Sequence, residues 1–281
     1  MPSTVSRLFA QAIEGLVFEP PKFPGYLEKD AVYVRTSDGT RIATMLLAAQ
    51  DHEGAGLRAR DLVLYSHCNA EDIGNCRERC LRLADSLSCN LLVYDYANYG
   101  HSSSGAMSKE RMYAAIVAVY EYATTQLLVP VDNLFIMGRS LGTTASARLA
   151  RILSERHRAD GLRLYRGLIL ESPLASGFRV LFDGNRLPAY VTAALDSFFC
   201  PVVQDIPFVD EHVFVIHGLH DDVIGVRNAY LLQESVATHS IYPPLYVDAG
   251  HNDVEALHGP LVMQELRRFL AFCRSGLAER S

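Results

Sequence analysis

The chain has 281 residues, of which 49% are hydrophobic, enough to bury a large core and to exclude intrinsic disorder. With 26 Lys and Arg against 32 Asp and Glu, the net charge of −6 offers no basic field for phosphates, so a nucleic-acid partner is excluded. The longest strictly apolar run, Tyr113 to Tyr120, falls far short of the ~20 residues of a membrane span.

In chain order, residues 4–17 place Val5, Leu8, Phe9, Ala12, Ile13, Leu16 and Val17 on one helical face, capped by Ser3 or Thr4. Pro20, Pro21 and Pro24 end that helix, giving an N-terminal unit of residues 1–24 before a single α/β domain over 25–281. Gln11 and Glu14 interrupt any secretory apolar core, and the polar face carries only Arg7 and Glu14. A cytoplasmic protein with at most peripheral membrane contact is the expectation. Strands at 32–36 and 41–47 flank Ser37-Asp38-Gly39, a good hairpin turn, and 51–59 reads as a surface loop.

From residue 62 strands and helices alternate. Apolar strands are expected at 62–66, 91–94, 134–137, 167–170, 213–216 and 245–247, with helices over 74–88, 109–127, 141–155, 226–236 and 260–274. Unbroken apolar strands alternating with helices mean an α/β fold, a mostly parallel twisted sheet with helices on both faces. A small cap-like insertion, 172–210, follows the sixth strand and carries Phe178, Leu181, Phe182, Phe198 and Phe199, which fit either a helical pair on the sheet edge or an apolar rim over a site. The six cysteines, at 68, 76, 80, 89, 200 and 273, lack zinc-motif spacing and read as reduced, buried residues. No metal or other cofactor is expected.

Gly138-Arg139-Ser140-Leu141-Gly142 ends the 134–137 strand and opens a helix, the strand, sharp turn and helix of a G-x-S-x-G nucleophile elbow. Val213–Ile216 leads into His217-Gly218-Leu219-His220-Asp221-Asp222, and 245–247 into Ala249-Gly250-His251-Asn252-Asp253. Ser, acid, His is the chain order of an α/β-hydrolase triad, each member in the turn after a strand, where ligands of such sheets sit. Ser140 needs a base to take its proton, and His251 is the candidate because imidazole titrates near working pH. The orienting acid is Asp221 or Asp222, with Asp221 preferred in the H-G-x-x-D-x-V phrase. Backbone N–H groups of Leu141 and Asn69 are the candidate oxyanion donors. His67 is expected to brace the loop that carries Asn69, and His101, His217 and His220 to be structural or solvent-facing.

Several phrases together resemble a known family: 66–74 (Ser-His-Cys-Asn-Ala-Glu-Asp-Ile-Gly), 94–103, 138–143, 171–177 (Glu-Ser-Pro-Leu-Ala-Ser-Gly) and 250–255 (Gly-His-Asn-Asp-Val-Glu). The resemblance is to the α/β-hydrolase domain-containing protein 17 family, membrane-associated serine hydrolases that remove palmitoyl groups from proteins. It runs from Phe18 to Phe272. It implies the α/β-hydrolase fold, with Ser140 as nucleophile, Asp221 as acid, His251 as base and an acylated protein as substrate. The chain departs from the family phrases at Cys68 and Asn98, where the family has Gly, and no Cys precedes Cys68 where the family has a palmitoylated cluster. A Gly-to-Cys change suggests either a locally altered backbone or retained strain at residue 68, with its sulfur near the substrate carbonyl. Three functions are compatible with the chain: a protein palmitoyl thioester hydrolase, a general carboxylesterase or lipid acyl hydrolase, and a catalytically silent binding protein.

Overall fold

The computed structural model describes residues 18–50, 59–181, 189–197 and 199–275. The expected 4–17 helix, the 51–58 part of the expected loop, Phe182 and Phe198 lie outside the described residues.

Among the described residues eight strands form one sheet: β1 (Val32–Arg35), β2 (Arg41–Leu47), β3 (Leu62–Ser66), β4 (Asn90–Tyr94), β5 (Leu134–Arg139), β6 (Gly167–Glu171), β7 (Val213–Gly218) and β8 (Leu245–Val247). Their order is β1-β2-β4-β3-β5-β6-β7-β8. The β1–β2 hairpin is antiparallel, turning at Gly39 with φ +84°, and β2 pairs antiparallel with β4. Every later pairing is parallel. Strands β3 to β7 are buried along their full length, as expected of apolar strands covered on both faces.

Helix α1 (Ile73–Leu87) starts at a capping box: the Asp72 carboxylate accepts from Asn75 N–H (2.9 Å) and the Asn75 side chain accepts from Asp72 N–H (3.2 Å). Ile73, Cys76, Cys80, Leu83, Ala84 and Leu87 are its buried stripe, so Cys76 and Cys80 serve as small apolar residues. None of the six cysteines forms a disulfide, and all are buried. Helix α2 (Lys109–Thr125) is capped by Ser108, and α3 (Gly142–Asp160) runs a turn beyond its expected end, to Gly161 in the left-handed conformation. Among the described residues of the insertion lie three short helices, α4 (Gly177–Leu181), α5 (Ala189–Asp196) and α6 (Val202–Asp205). Helices α7 (Arg227–Ser235) and α8 (Val254–Ser275) follow; α8 starts earlier than expected and kinks at His258, ahead of the Pro260 ring that cannot continue an uninterrupted ladder. Helices α2, α3 and α7 pack on one face of the sheet, α1 and α8 on the other.

This topology brings the carboxyl ends of β3, β5, β7 and β8 to one edge of the molecule. The loops after these strands carry Asn69, Ser140, Asp221 and His251.

Candidate active site

Ser140 sits at the end of β5 with φ +52°, in the left-handed region that a non-glycine residue occupies only under constraint. Its N–H donates to Glu171 O (2.9 Å), which holds the turn against β6. The flanking glycines are required by close approach. A Cβ on Gly138 would overlap the Gly142 carbonyl, and one on Gly142 would overlap the carbonyl oxygens of Ser66 and His67. Strand, turn and helix can therefore cross only if both flanks lack side chains.

The Ser140 hydroxyl donates to His251 Nε2 at 3.0 Å, and His251 Nδ1–H donates to Asp221 Oδ2 at 2.7 Å. All three residues are buried. Asp221 is fixed from behind: its Oδ1 accepts from the N–H groups of Val223 (3.0 Å) and Ile224 (2.7 Å). Burial opposes its charge, but hydrogen bonds from His217, His251 and Ile224 N–H outweigh it and hold the carboxyl well below the usual carboxylate range. Asp222 is exposed, so Asp221 is the acid within reach of His251.

Of the other histidines, His101 donates from its ring to Tyr26 O (3.0 Å), a structural role, and His220 pairs with Asp248 in solvent. His217 does more than the sequence suggested. It is fully buried, donates from Nε2 to Ile224 O (2.8 Å), and lies 3.2 Å from Asp221 Oδ2. The H-G-x-x-D phrase itself was the available signal, since the acid this histidine touches lies four positions further along the chain.

His67 braces the loop after β3, as expected: its Nδ1–H donates to Cys68 O (2.7 Å), and Tyr96 OH donates to His67 O (2.6 Å). Asn69 is anchored by its side chain, whose Oδ1 accepts from Tyr99 OH (2.7 Å) and Glu19 N–H (3.0 Å). Leu141 stands at the mouth of α3, before Thr143 and Thr144, whose N–H groups bond back to Ser140 O and Leu141 O. Amides at that point of a helix have no partner within the helix.

The two departures from the family phrases behave differently. Asn98 takes φ +69°, a left-handed conformation asparagine tolerates in place of glycine. Cys68 has no positive φ, so the strain considered for it is absent. Its sulfur accepts from Arg139 Nη1 (3.0 Å), and burial pushes the thiol up to about 12.

Arg139, the residue before Ser140, ties several loops together. Its Nη2 donates to His251 O and Asn252 Oδ1 (both 3.2 Å), its Nη1 reaches Glu71 (3.3 Å) and its Nε lies 3.3 Å from Glu171. Arg79 bridges Glu171 (2.5 Å) and Glu255 (2.7 Å) and also donates to Tyr65 OH. Glu171 is buried, which opposes its charge, yet Arg79 and Arg139 keep it below the usual glutamate range. The cluster borders a cavity of about 450 Å³ between α1 and α8, whose lining includes Arg79, Arg139, Asn252 and Glu255 but no member of the Ser-His-Asp group. Sequence reasoning missed this network because its members lie far apart in the chain.

In the insertion, Phe199 is buried against Phe18 with ring centroids 5.9 Å apart, while Phe178 is half-buried. Arg179 and Ser176 both bond Asp196, which ties α4 to α5. Among the described residues no group of His, Cys, Asp and Glu could hold a metal ion, and no helix is long and apolar enough to cross a membrane.

No family model matches the chain. Its sequence is 34% identical over 248 residues to human α/β-hydrolase domain-containing protein 17B, covering 87% of this chain and 77% of that protein. It is 33% identical to mouse α/β-hydrolase domain-containing protein 17C over 87% of this chain and 68% of that one. Among solved structures, the esterase Pf2001 of Pyrococcus furiosus superposes with a TM-score of 0.64 at 15% identity, over 91% of this chain and 98% of that chain. The α/β hydrolase GrgF from a Penicillium species does so with 0.66 at 12% identity, over 87% and 98%. At such identities the structural likeness establishes the fold.

Proposed function

The chain belongs to the α/β-hydrolase domain-containing protein 17 family of hydrolases, and we propose that it is a serine hydrolase that cleaves acyl thioesters, with palmitoylated protein cysteine as its substrate. The observation that carries the reading is the hydrogen-bonded series Ser140, His251, Asp221 on a strained elbow at the carboxyl edge of the sheet.

In the first step Ser140 Oγ attacks the acyl carbon while His251 Nε2 takes its proton. Asp221 stays charged, keeps Nδ1–H in place and stabilises the imidazolium. The carbonyl oxygen becomes an oxyanion, which the N–H groups of Leu141 and Asn69 receive. The C–S bond then breaks, His251 returns the proton to the departing thiolate, and the acyl group remains as an ester on Ser140. In the second step His251 draws a proton from water, the hydroxide adds to the ester, and the fatty acid leaves as Ser140 recovers its proton.

The thioester and the long acyl chain rest on the resemblance of residues 66–74, 171–177 and 250–255 to the family phrases. The test compares kcat/KM for palmitoyl and acetyl thioesters of one cysteine peptide with the matching serine oxygen esters. Preference for the palmitoyl thioester supports the reading. Equal or better turnover of acetyl esters would make the protein a general carboxylesterase. Failure of a fluorophosphonate probe to label Ser140 would leave a catalytically silent fold.

A further inference from the structure

The segment from Phe18 to Tyr26 precedes β1 and would pass as a linker on sequence alone, yet each of its polar contacts falls on the loops that surround Asn69. Glu19 N–H donates to Asn69 Oδ1 (3.0 Å). Gly25 N–H donates to Asp72 Oδ2 (2.7 Å), the N-cap of α1. Tyr26 OH donates to the buried Asp95 (2.5 Å), whose other oxygen accepts Ile73 N–H (2.8 Å) at the start of α1. Two close approaches lock the segment in place. A Cβ on Gly74 would overlap the Gly25 backbone, and one on Gly100, at φ +49°, would overlap Asp95 and crowd Tyr26 OH. At the segment's start Phe18 is buried against Phe199 of the insertion. Pro20, Pro21 and Pro24 restrict its backbone.

We infer that Phe18–Tyr26 is a positioning strap for the oxyanion loop: with Tyr99 it grips the Asn69 side chain, and thereby sets where the Asn69 backbone N–H meets the developing oxyanion. The inference rests on the proposed serine-hydrolase reading. Its logic is geometric. Asn69 has both of its amide-oxygen bonds outside its own loop, one to Tyr99 after β4 and one to the strap. Freed of them, the loop can shift, and misplacement by about 1 Å at a reacting centre can cost on the order of 10²-fold in rate. An oxyanion donor acts mainly in the transition state, so the loss falls on kcat and leaves KM nearly unchanged.

The experiment uses the full chain. Glu19→Pro removes the strap's N–H donor, Glu19→Ala keeps it, and Tyr99→Phe removes the other donor. Each is assayed for hydrolysis of a palmitoyl-cysteine peptide and for inhibition by a long-chain alkyl trifluoromethyl ketone, whose serine adduct carries an oxyanion. Glu19→Pro and Tyr99→Phe are expected to lower kcat about tenfold each, with KM moved less than about twofold and the ketone Ki raised in parallel. Glu19→Ala should match wild type. The strap is overturned if kcat in both donor variants stays within about twofold of wild type while Ser140→Ala is inactive, or if kcat falls with the ketone Ki unchanged. Hydrolysis surviving in Ser140→Ala would instead overturn the serine-hydrolase reading itself.

Discussion

Ser140 and Arg139 are adjacent in the chain, yet they belong to two differently built regions. On the Ser140 side, three side chains are joined by two hydrogen bonds, and the serine is held at φ +52°. On the Arg139 side, two guanidinium groups and the carboxylates of Glu71, Glu171 and Glu255 are linked by ion pairs of 2.5–3.3 Å. Arg139 and Glu171 touch both regions: Arg139 donates to His251 O, and Glu171 O accepts the Ser140 N–H. The two regions divide the labour. The Ser140 series is laid out so that a proton can pass along it, while the charged cluster ties the surrounding loops together. Removing a residue from one region should therefore cost turnover, and from the other mainly stability.

The largest expected effect breaks the Ser140 side alone. Ser140→Ala or His251→Ala should lower kcat by roughly 10⁴-fold or more, and Asp221→Asn somewhat less, with the urea midpoint of Ser140→Ala unchanged. Asp222→Asn, at an exposed site, should retain most activity, and a crippled Asp222→Asn beside a mild Asp221→Asn would reverse the assignment of the acid.

Next comes the Arg139 side. Arg139→Met leaves Glu171 with Arg79 as its remaining ionic partner, and should cost about 3 kcal/mol in urea unfolding, the low end for breaking a buried pair. Because Arg139 also holds His251 O, kcat should fall about tenfold. A variant that lost activity as Ser140→Ala does, with full stability, would erase the division between the two regions.

The two regions also differ in how pH acts on them. Asp221, held well below the usual carboxylate range, stays charged as pH falls to about 4. Its contribution to stability is complete above its unfolded value of about 3.9 and is lost only as pH falls below that toward the folded value. Asp221 therefore takes up no proton on the acid limb of kcat/KM above pH 4, and that limb should show unit slope. A slope of two above pH 4 would mean that a second group titrates in the site.

The smallest effect concerns Cys68, which sits on the Arg139 side. Cys68→Gly should keep the fold and change kcat by no more than about twofold, since no positive φ is relieved. Iodoacetamide should label Cys68 slowly at pH 7.5, because burial pushes its thiol up to about 12. Rapid alkylation followed by peptide mass spectrometry would contradict that placement.

How legible these regions were in the sequence follows from their construction. The Ser-His-Asp series was readable because each member follows an apolar strand and lies within a short local phrase, and parallel strands must bring such ends to one edge. Gly138 and Gly142 were readable for the same reason, as neighbours of the residue they serve. The charged cluster was not, because Arg139 and Asn252 meet only after the four strands β5 to β8 have been ordered. His217 was placed on the right turn but not in contact with Asp221. Asn98 and Cys68 look alike as replacements for glycine, and only backbone geometry separates them: one needs a left-handed residue and the other does not. Residues 18–26 carried no periodicity at all, and their role depends on contacts with loops 47 to 75 residues away.

In the proposed reaction Ser140 carries the acyl group through an ester intermediate. Intact-protein mass spectrometry of wild type, Ser140→Ala and Cys68→Gly, quenched within seconds of mixing with a palmitoyl-cysteine peptide, tests it most directly. One added palmitoyl group is expected in wild type and Cys68→Gly, located at Ser140 by fragmentation, and none in Ser140→Ala. An acyl group on Cys68, or one that persists in Ser140→Ala, would contradict it.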